Sequence, residues 1–187
     1  VEIGQVEFRK KSKLGARKLK VLQQQVSDQI ERYLEIESLL DISSKFDNPI
    51  GHLLISKGED VEKAVNTLLE SWKMGINALP NVIELLEDKE IKVIEIEADL
   101  AFDGLSGWAN GEIPVIVLNR DYPIERKRFT ALHELGHLLM HVKKNLSPKE
   151  MEKLCHRFAG AMLMPKETFL TELGEHRSSF SLPELIA

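Results

Sequence analysis

The chain of 187 residues lacks the features that define several protein classes. Its single cysteine cannot form an internal disulfide, which excludes a disulfide-stapled scaffold and favours a reducing compartment. Its apolar runs are too short to cross a bilayer, and we find no signal peptide. The net charge of −5 argues against a broad nucleic-acid-binding surface. We therefore expect a cytoplasmic protein with no membrane partner.

One basic stretch departs from this acidic balance. Residues 9–20 contain seven lysines and arginines and no acid. Segments that bind nucleic acid often have aromatic side chains between their basic residues, and this stretch has none. The stretch therefore favours a solvated helix face or linker over a DNA-binding surface.

A short motif in the last third of the chain carries the chemistry: His133-Glu134-Leu135-Gly136-His137. On an α-helix, residues four apart lie about 40° apart around the axis and about 6 Å apart along it. His133 and His137 can therefore bind one metal ion. Glu134 lies toward the open side of that ion, where a carboxylate can take a proton from water. We predict the two histidines as metal ligands and Glu134 as the catalytic base.

A catalytic zinc ion usually has three protein ligands, so the two histidines leave one to be found, and the predicted helix 147–164 offers a candidate. A helical wheel at about 100° per residue places Glu152 within the apolar arc of this helix. A carboxylate directed at a core is costly unless a cation meets it, and zinc would do so. Glu150 lies on the opposite side, where a capping box with Ser147 explains it. Glu152 is therefore the predicted third ligand, with pairing to an arginine or exposure to solvent as the alternative.

Three further side chains are candidates for a role at the site. His156 follows Glu152 by one turn, and we interpret it as a contact to substrate or transition state, or as an ordinary surface hydrogen-bonding group. Cys155 sits among apolar residues, so a packed thiol is favoured over a ligand. His141 continues the four-residue series, but about 12 Å of helix would separate it from His133, too far for one zinc ion.

Periodicity outlines the remaining architecture. Helical spacing predicts helices near residues 19–40, 59–74, 82–88, 123–141 and 147–164. Alternation predicts a strand at 91–96 and a hairpin whose two-residue turn is Asn110-Gly111, and strand 115–118 could pair with an extended substrate. Residues 1–80 show no convincing helix-turn-helix.

Four blocks of this sequence resemble the ImmA/IrrE family of zinc metallopeptidases: residues 103–110, 114–119, 128–141 and 152–165. The resemblance implies an α+β fold, a minimal zincin-like (gluzincin-type) domain with about three strands in a twisted sheet packed on the HExxH helix. A helical N-terminal region would precede that domain. It also implies Zn²⁺ as the cofactor. The zinc ligands would be two histidines of the first helix and a glutamate of the next, here His133, His137 and Glu152. Where the family often has Ala-Asn, this chain has Cys155-His156.

The expected organisation is a mostly helical region or linker at 1–79, a metallopeptidase core at 80–170 and a truncated tail at 171–187. Because the chain begins at Val1 and not with methionine, we expect a fragment, with any helix-turn-helix domain preceding it. Members of the resembled family often relieve repression by cleaving a DNA-binding regulator in bacterial stress or mobile-element circuits.

The predicted function is therefore a zinc-dependent endopeptidase that cleaves a repressor-type protein. One alternative is a catalytically silent zinc-containing module that binds a repressor or toxin, and another is a DNA-binding regulator. Contact with nucleic acid would otherwise come only from a domain outside this chain.

Overall fold

The computed structural model describes residues 7–8, 16–42, 45–75, 79–99 and 101–173. Most of the basic stretch and the end of the predicted tail, residues 9–15 and 174–187, lie outside the described residues. The helices of the described residues are α1 (Ala16–Leu39), α2 (Gly58–Ser71), α3 (Val82–Asp88), α4 (Ile124–Leu139), α5 (Pro148–Leu163) and α6 (Lys166–Leu173). The strands are β1 (Glu7–Phe8), β2 (Leu54–Ile55), β3 (Lys92–Ile96), β4 (Gly104–Ala109), β5 (Ile113–Asn119) and β6 (His141–Val142).

The main sheet has the strand order β1-β4-β5-β3. Strand β5 pairs antiparallel with β4 and parallel with β3. These three longer strands confirm the expected α+β fold with a small sheet of about three strands, and the two-residue β1 adds a fourth along the outer edge of β4. A separate pair, β2 and β6, lies parallel.

The hairpin turn follows from its sequence. Asn110 and Gly111 both have positive φ, at 52° and 73°, as a type I′ turn requires. Glu112 N donates to the carbonyl oxygen of Ala109 at 3.2 Å and closes the turn. The predicted Asn110-Gly111 turn is confirmed.

The proposed use of strand 115–118 as a docking edge is wrong. Strand β5 lies between β3 and β4, and the backbone register pairs Val117 with Ile94 on one side and with Leu105 on the other. Both of its hydrogen-bonding edges are therefore used within the sheet. An extended substrate has no free edge of β5 to join.

The two faces of the sheet bury different helices. Alternate residues of β5 point to opposite sides: Val115 and Val117 pack in a cluster with α1, whereas Ile116 and Leu118 pack in the larger core with α2, α4 and α5. Because both faces are covered, β5 is apolar along nearly its whole length. Helix α1 thus packs on the sheet opposite the HExxH helix. The division into domains near residue 79 stays a prediction.

A buried amide organises the loop that leads into β4. Asn119 is fully buried at the end of β5, and its Nδ2 donates to the carbonyl oxygens of Ala98, Asp99 and Phe102 at 2.9–3.2 Å. Such a buried amide stabilises a fold only when its partners are present. Asn119 therefore ties this loop to the end of β5.

None of the described helices is both long enough and apolar enough to cross a membrane.

Candidate metal centre and active site

Helix α4 carries the two predicted histidine ligands toward the interior. His133 and His137 lie one turn apart, with ring centroids separated by 4.9 Å. Their side chains are only 12% and 11% exposed, because α4 packs its apolar residues between the sheet and α5. The pair therefore sits at a partly enclosed surface rather than in open solvent.

The helix ends before His141. Helix α4 stops at Leu139, and His141 belongs to the short strand β6, where it is exposed. His141 is absent from the cluster of metal-binding side chains among the described residues. The chain leaves the helix before His141 rather than continuing along it, so His141 does not extend the four-residue series of His133 and His137.

Helix α5 brings the predicted third ligand to the pair. Its start is set by a capping box, in which the Glu150 carboxylate accepts from Ser147 N at 2.8 Å while Ser147 Oγ accepts from Glu150 N at 3.3 Å. One carboxylate oxygen of Glu152 then lies 3.2 Å from His133 Nε2, and the other lies 3.3 Å from His137 Nε2. The structure thus brings Glu152 to both histidines and leaves Glu150 at the helix start.

The three side chains suit a zinc ion. One ligand atom from each of His133, His137 and Glu152 lies within 4.8 Å of the others. Zinc bonds of about 2.0–2.1 Å in a tetrahedron separate neighbouring ligand atoms by about 3.3 Å, close to the separations between Glu152 and the histidines. Two imidazoles and one carboxylate are also a typical ligand set of catalytic zinc, which keeps a further position open. The donor set therefore fits the metal that the sequence pattern implies.

Burial keeps His133 in the form that a metal requires. Removal from water lowers the pKa of His133 below its ordinary value, and the neighbouring His156 lowers it further, while Glu152 opposes both effects. His133 is therefore a neutral imidazole at physiological pH. A neutral ring nitrogen has the lone pair that binds a metal.

The exposure of Glu152 differs from the expectation. The wheel placed its side chain inside the apolar arc of α5, but the side chain is 39% exposed. The carboxylate lies at the border of the core, where the two histidines and solvent meet. Its contact with the histidines, rather than deep burial, identifies it.

Glu134 has a partner that the sequence did not indicate. The Ser106 hydroxyl of β4 donates to Glu134 Oε2 at 2.7 Å. Ser106 is only 2% exposed. It stood within one of the resembling blocks, yet nothing in its local pattern distinguishes it from other serines, because its role depends on how β4 packs on α4.

His156 borders the site without joining the ligand cluster. Its Nδ1 lies 2.7 Å from the backbone carbonyl oxygen of Glu152, which can only accept, so Nδ1 carries the proton. Its ring lies 4.5 Å from that of His133 and 5.9 Å from that of Phe129, centroid to centroid. The predicted role of His156 as a substrate or transition-state contact stays a prediction. Cys155 is fully buried in the core, as expected for a packed thiol.

A glycine allows α4 and α5 to approach. A Cβ atom on Gly136 would lie 3.2 Å from Cδ1 and 3.3 Å from Cβ of Phe158, which is completely buried. These separations are shorter than ordinary van der Waals contact. The glycine inside the motif therefore allows α5, the helix that carries Glu152, to pack closely against α4.

Replacing Gly136 with alanine should weaken zinc binding about tenfold, as misplacement of a supporting group often does. Overpacking against Phe158 costs about 1–3 kcal/mol, which exceeds the helix-propensity gain of about 1 kcal/mol, so the free energy of unfolding should fall by up to about 2 kcal/mol. The measurements are zinc competition titration and urea denaturation.

The matched control is Gly160→Ala in α5, where an added Cβ meets nothing within 4 Å. This variant should gain about 0.5–1 kcal/mol of stability and keep its zinc affinity. Equal zinc affinities for both alanine variants would contradict the assigned role of Gly136.

Comparison with known proteins agrees with this geometry. No curated protein sequence matches the chain. The family model of peptidase M78, described as an IrrE N-terminal-like domain, matches residues 86–185, a range that contains the HExxH helix and Glu152. This match confirms the ImmA/IrrE resemblance and extends past its limit at residue 165. The chain therefore belongs to the peptidase M78 family, and residues 86–185 form its metallopeptidase-type domain.

Proposed function

We propose that this protein is a zinc-dependent endopeptidase. One observation carries the proposal: ligand atoms of His133, His137 and Glu152 lie within 4.8 Å of one another, and Glu134 directly follows His133 in the sequence. A purely structural zinc site has four protein ligands and needs no adjacent base, whereas a hydrolytic site combines three ligands with a carboxylate. The described residues offer the second arrangement.

The roles of the chain's own residues follow from their positions. His133, His137 and Glu152 would hold the ion. Zinc, when bound, acts as a Lewis acid that polarises a carbonyl group and makes water more acidic. Glu134 accepts a proton from the attacking water and delivers it to the leaving amine. The backbone contact of His156 holds its ring beside His133, which supports the proposal that it contacts substrate.

The proposed substrate is a protein, specifically a DNA-binding regulator of the repressor type. Support comes from the family membership of the chain and from the resemblance described above. The proposed setting is a bacterial stress or mobile-element circuit in the cytoplasm, which suits a chain whose one cysteine is a buried thiol.

Zinc-dependent cleavage of peptides tests the proposal. The protein is loaded with zinc, stripped with a chelator, or stripped and reloaded, and each sample is incubated with a peptide library prepared from a bacterial lysate. Mass spectrometry of new amino termini should show cleavage in the loaded and reloaded samples only. Absence of new termini in every sample, or equal cleavage after stripping, would reject the proposal.

A further inference from the structure

Ser106 connects the sheet to the proposed base. It lies in β4, and its hydroxyl donates to Glu134 Oε2 at 2.7 Å. With 2% of its surface exposed, this serine is shielded from water that could replace the contact. A charge-assisted hydrogen bond of this kind is about twice as strong as one between neutral groups.

The approach of β4 to α4 makes this contact possible. Alternate residues of a strand share a face, so Gly104 and Ser106 both point toward α4. A Cβ on Gly104 would lie 2.7 Å from Thr130 Cγ2 of α4 and 2.8 Å from the carbonyl oxygen of Val117. No side chain fits there. The glycine thus lets the strand come close enough for the short serine side chain to reach the helix.

A free glutamate side chain has several rotamers, and only some of them place its carboxylate where water and substrate meet. Holding the Glu134 side chain in one rotamer costs conformational entropy, and a favourable contact is needed to offset that cost. Strand β4 is hydrogen-bonded through β5 into the sheet, so Ser106 projects from a rigid support. Catalysis is sensitive to displacement of the reacting group by as little as about 1 Å.

We propose that Ser106 is a positioning residue that holds the Glu134 carboxylate in the orientation required for proton transfer. This inference rests on the proposed peptidase function. Ser106 acts through Glu134. Among the described residues, its hydroxyl donates a hydrogen bond to Glu134 rather than to a proposed zinc ligand. The hydroxyl donates its hydrogen bond to one carboxylate oxygen and takes no part in the transfer itself.

The kinetic test compares variants of the zinc-loaded protein on one peptide chosen from the mapped cleavage sites. Ser106→Ala should lower kcat about 10- to 100-fold, with KM within about twofold and zinc content unchanged. Ser106→Thr keeps the hydroxyl and should restore most of kcat. Because a purely structural effect would follow stability rather than the hydroxyl, rescue by threonine identifies positioning.

Thr130→Val is the matched control. Thr130 is a nearly buried residue of the same α4–β4 interface, and its substitution removes a hydroxyl while keeping the shape of the side chain. Its kcat should stay within about twofold of the wild type. If Ser106→Ala does not fold, Ser106→Cys replaces it, since a thiol is a weak donor of similar size and should give an intermediate kcat.

A second measurement needs no activity. Urea unfolding of Ser106→Ala, Glu134→Ala and the double variant forms a double-mutant cycle. The unfolding equilibrium constants should be non-additive by about 2- to 100-fold, the range expected for side chains in contact. Additive effects would overturn the contact on which the inference depends.

The outcomes separate the two proposals. If the wild type cleaves the peptide and Ser106→Ala has the same kcat, the positioning role is rejected while the peptidase function stands. If the zinc-loaded wild type cleaves no peptide, the peptidase function is rejected, and the role of Ser106 falls with it even where the unfolding cycle shows coupling.

Discussion

Replacing Glu134 with glutamine should nearly abolish peptide cleavage while zinc stays bound. The amide keeps the size of the side chain and can still accept the hydrogen bond from Ser106, but it cannot take a proton from water. Loss of a general base typically lowers the rate about 10²- to 10⁴-fold. Zinc affinity should change little, because the ligand cluster consists of His133, His137 and Glu152. The measurements are kcat/KM on a mapped peptide and metal content.

The control for this experiment is Glu125→Gln, which removes an exposed acid from the first turn of the same helix. It should cleave at the wild-type rate. Full activity of Glu134→Gln would reject Glu134 as the base. If neither the wild type nor Glu134→Gln cleaves, but both bind a repressor or toxin equally, the silent binding module becomes the better interpretation.

Replacing Glu152 with glutamine should lower the affinity for zinc by more than about 100-fold. Substitution of groups that merely support metal ligands already costs about 10- to 100-fold, and Glu152 is proposed to contact the ion directly. The carboxylate lies 3.2 Å from His133 Nε2 and 3.3 Å from His137 Nε2, so its loss leaves two imidazoles and no carboxylate in the proposed ligand set. Competition with a chromogenic chelator measures the dissociation constant.

Glu150→Gln is a close control, since it removes the same charge from the same helix. Glutamine serves in a capping box as glutamate does, so the start of α5 should be preserved. Zinc affinity should stay within about twofold of the wild type. Equal losses for both variants would show that charge near the site, rather than coordination by Glu152, determines binding.

The proposed ligand set could be predicted because it depends on helix geometry. The spacing of His133 and His137 determines their relative position on any α-helix, whatever surrounds it. Glu152 was reached by the same reasoning, since a charged residue among apolar neighbours on a wheel requires a partner. Its 39% exposure was not predicted, because a wheel gives direction around an axis and not the depth of the neighbouring helices.

The docking edge was predicted wrongly for a related reason. Alternation identifies a strand, and the Asn110-Gly111 turn identifies which strand follows it in the hairpin. Neither pattern shows that β3 returns to pair parallel with β5 and covers its second edge. Pairing between β3 and β5 joins residues that are distant along the chain, so no local pattern reports it.

By itself the sequence determined five of the six described helices, the hairpin turn, the histidine pair and Glu152 as the candidate third ligand, because each depends on neighbours within one or two turns of the chain. Only the tertiary structure decided the partner of Glu134 and the approach of α5 to α4. These depend on the absence of a side chain at Gly104, where a Cβ would lie 2.7–2.8 Å from Thr130 and Val117, and at Gly136, where it would lie 3.2–3.3 Å from Phe158, which is tighter than ordinary contact. Close packing between remote elements is a property of the assembled core, and the site's base and third ligand take their positions from it.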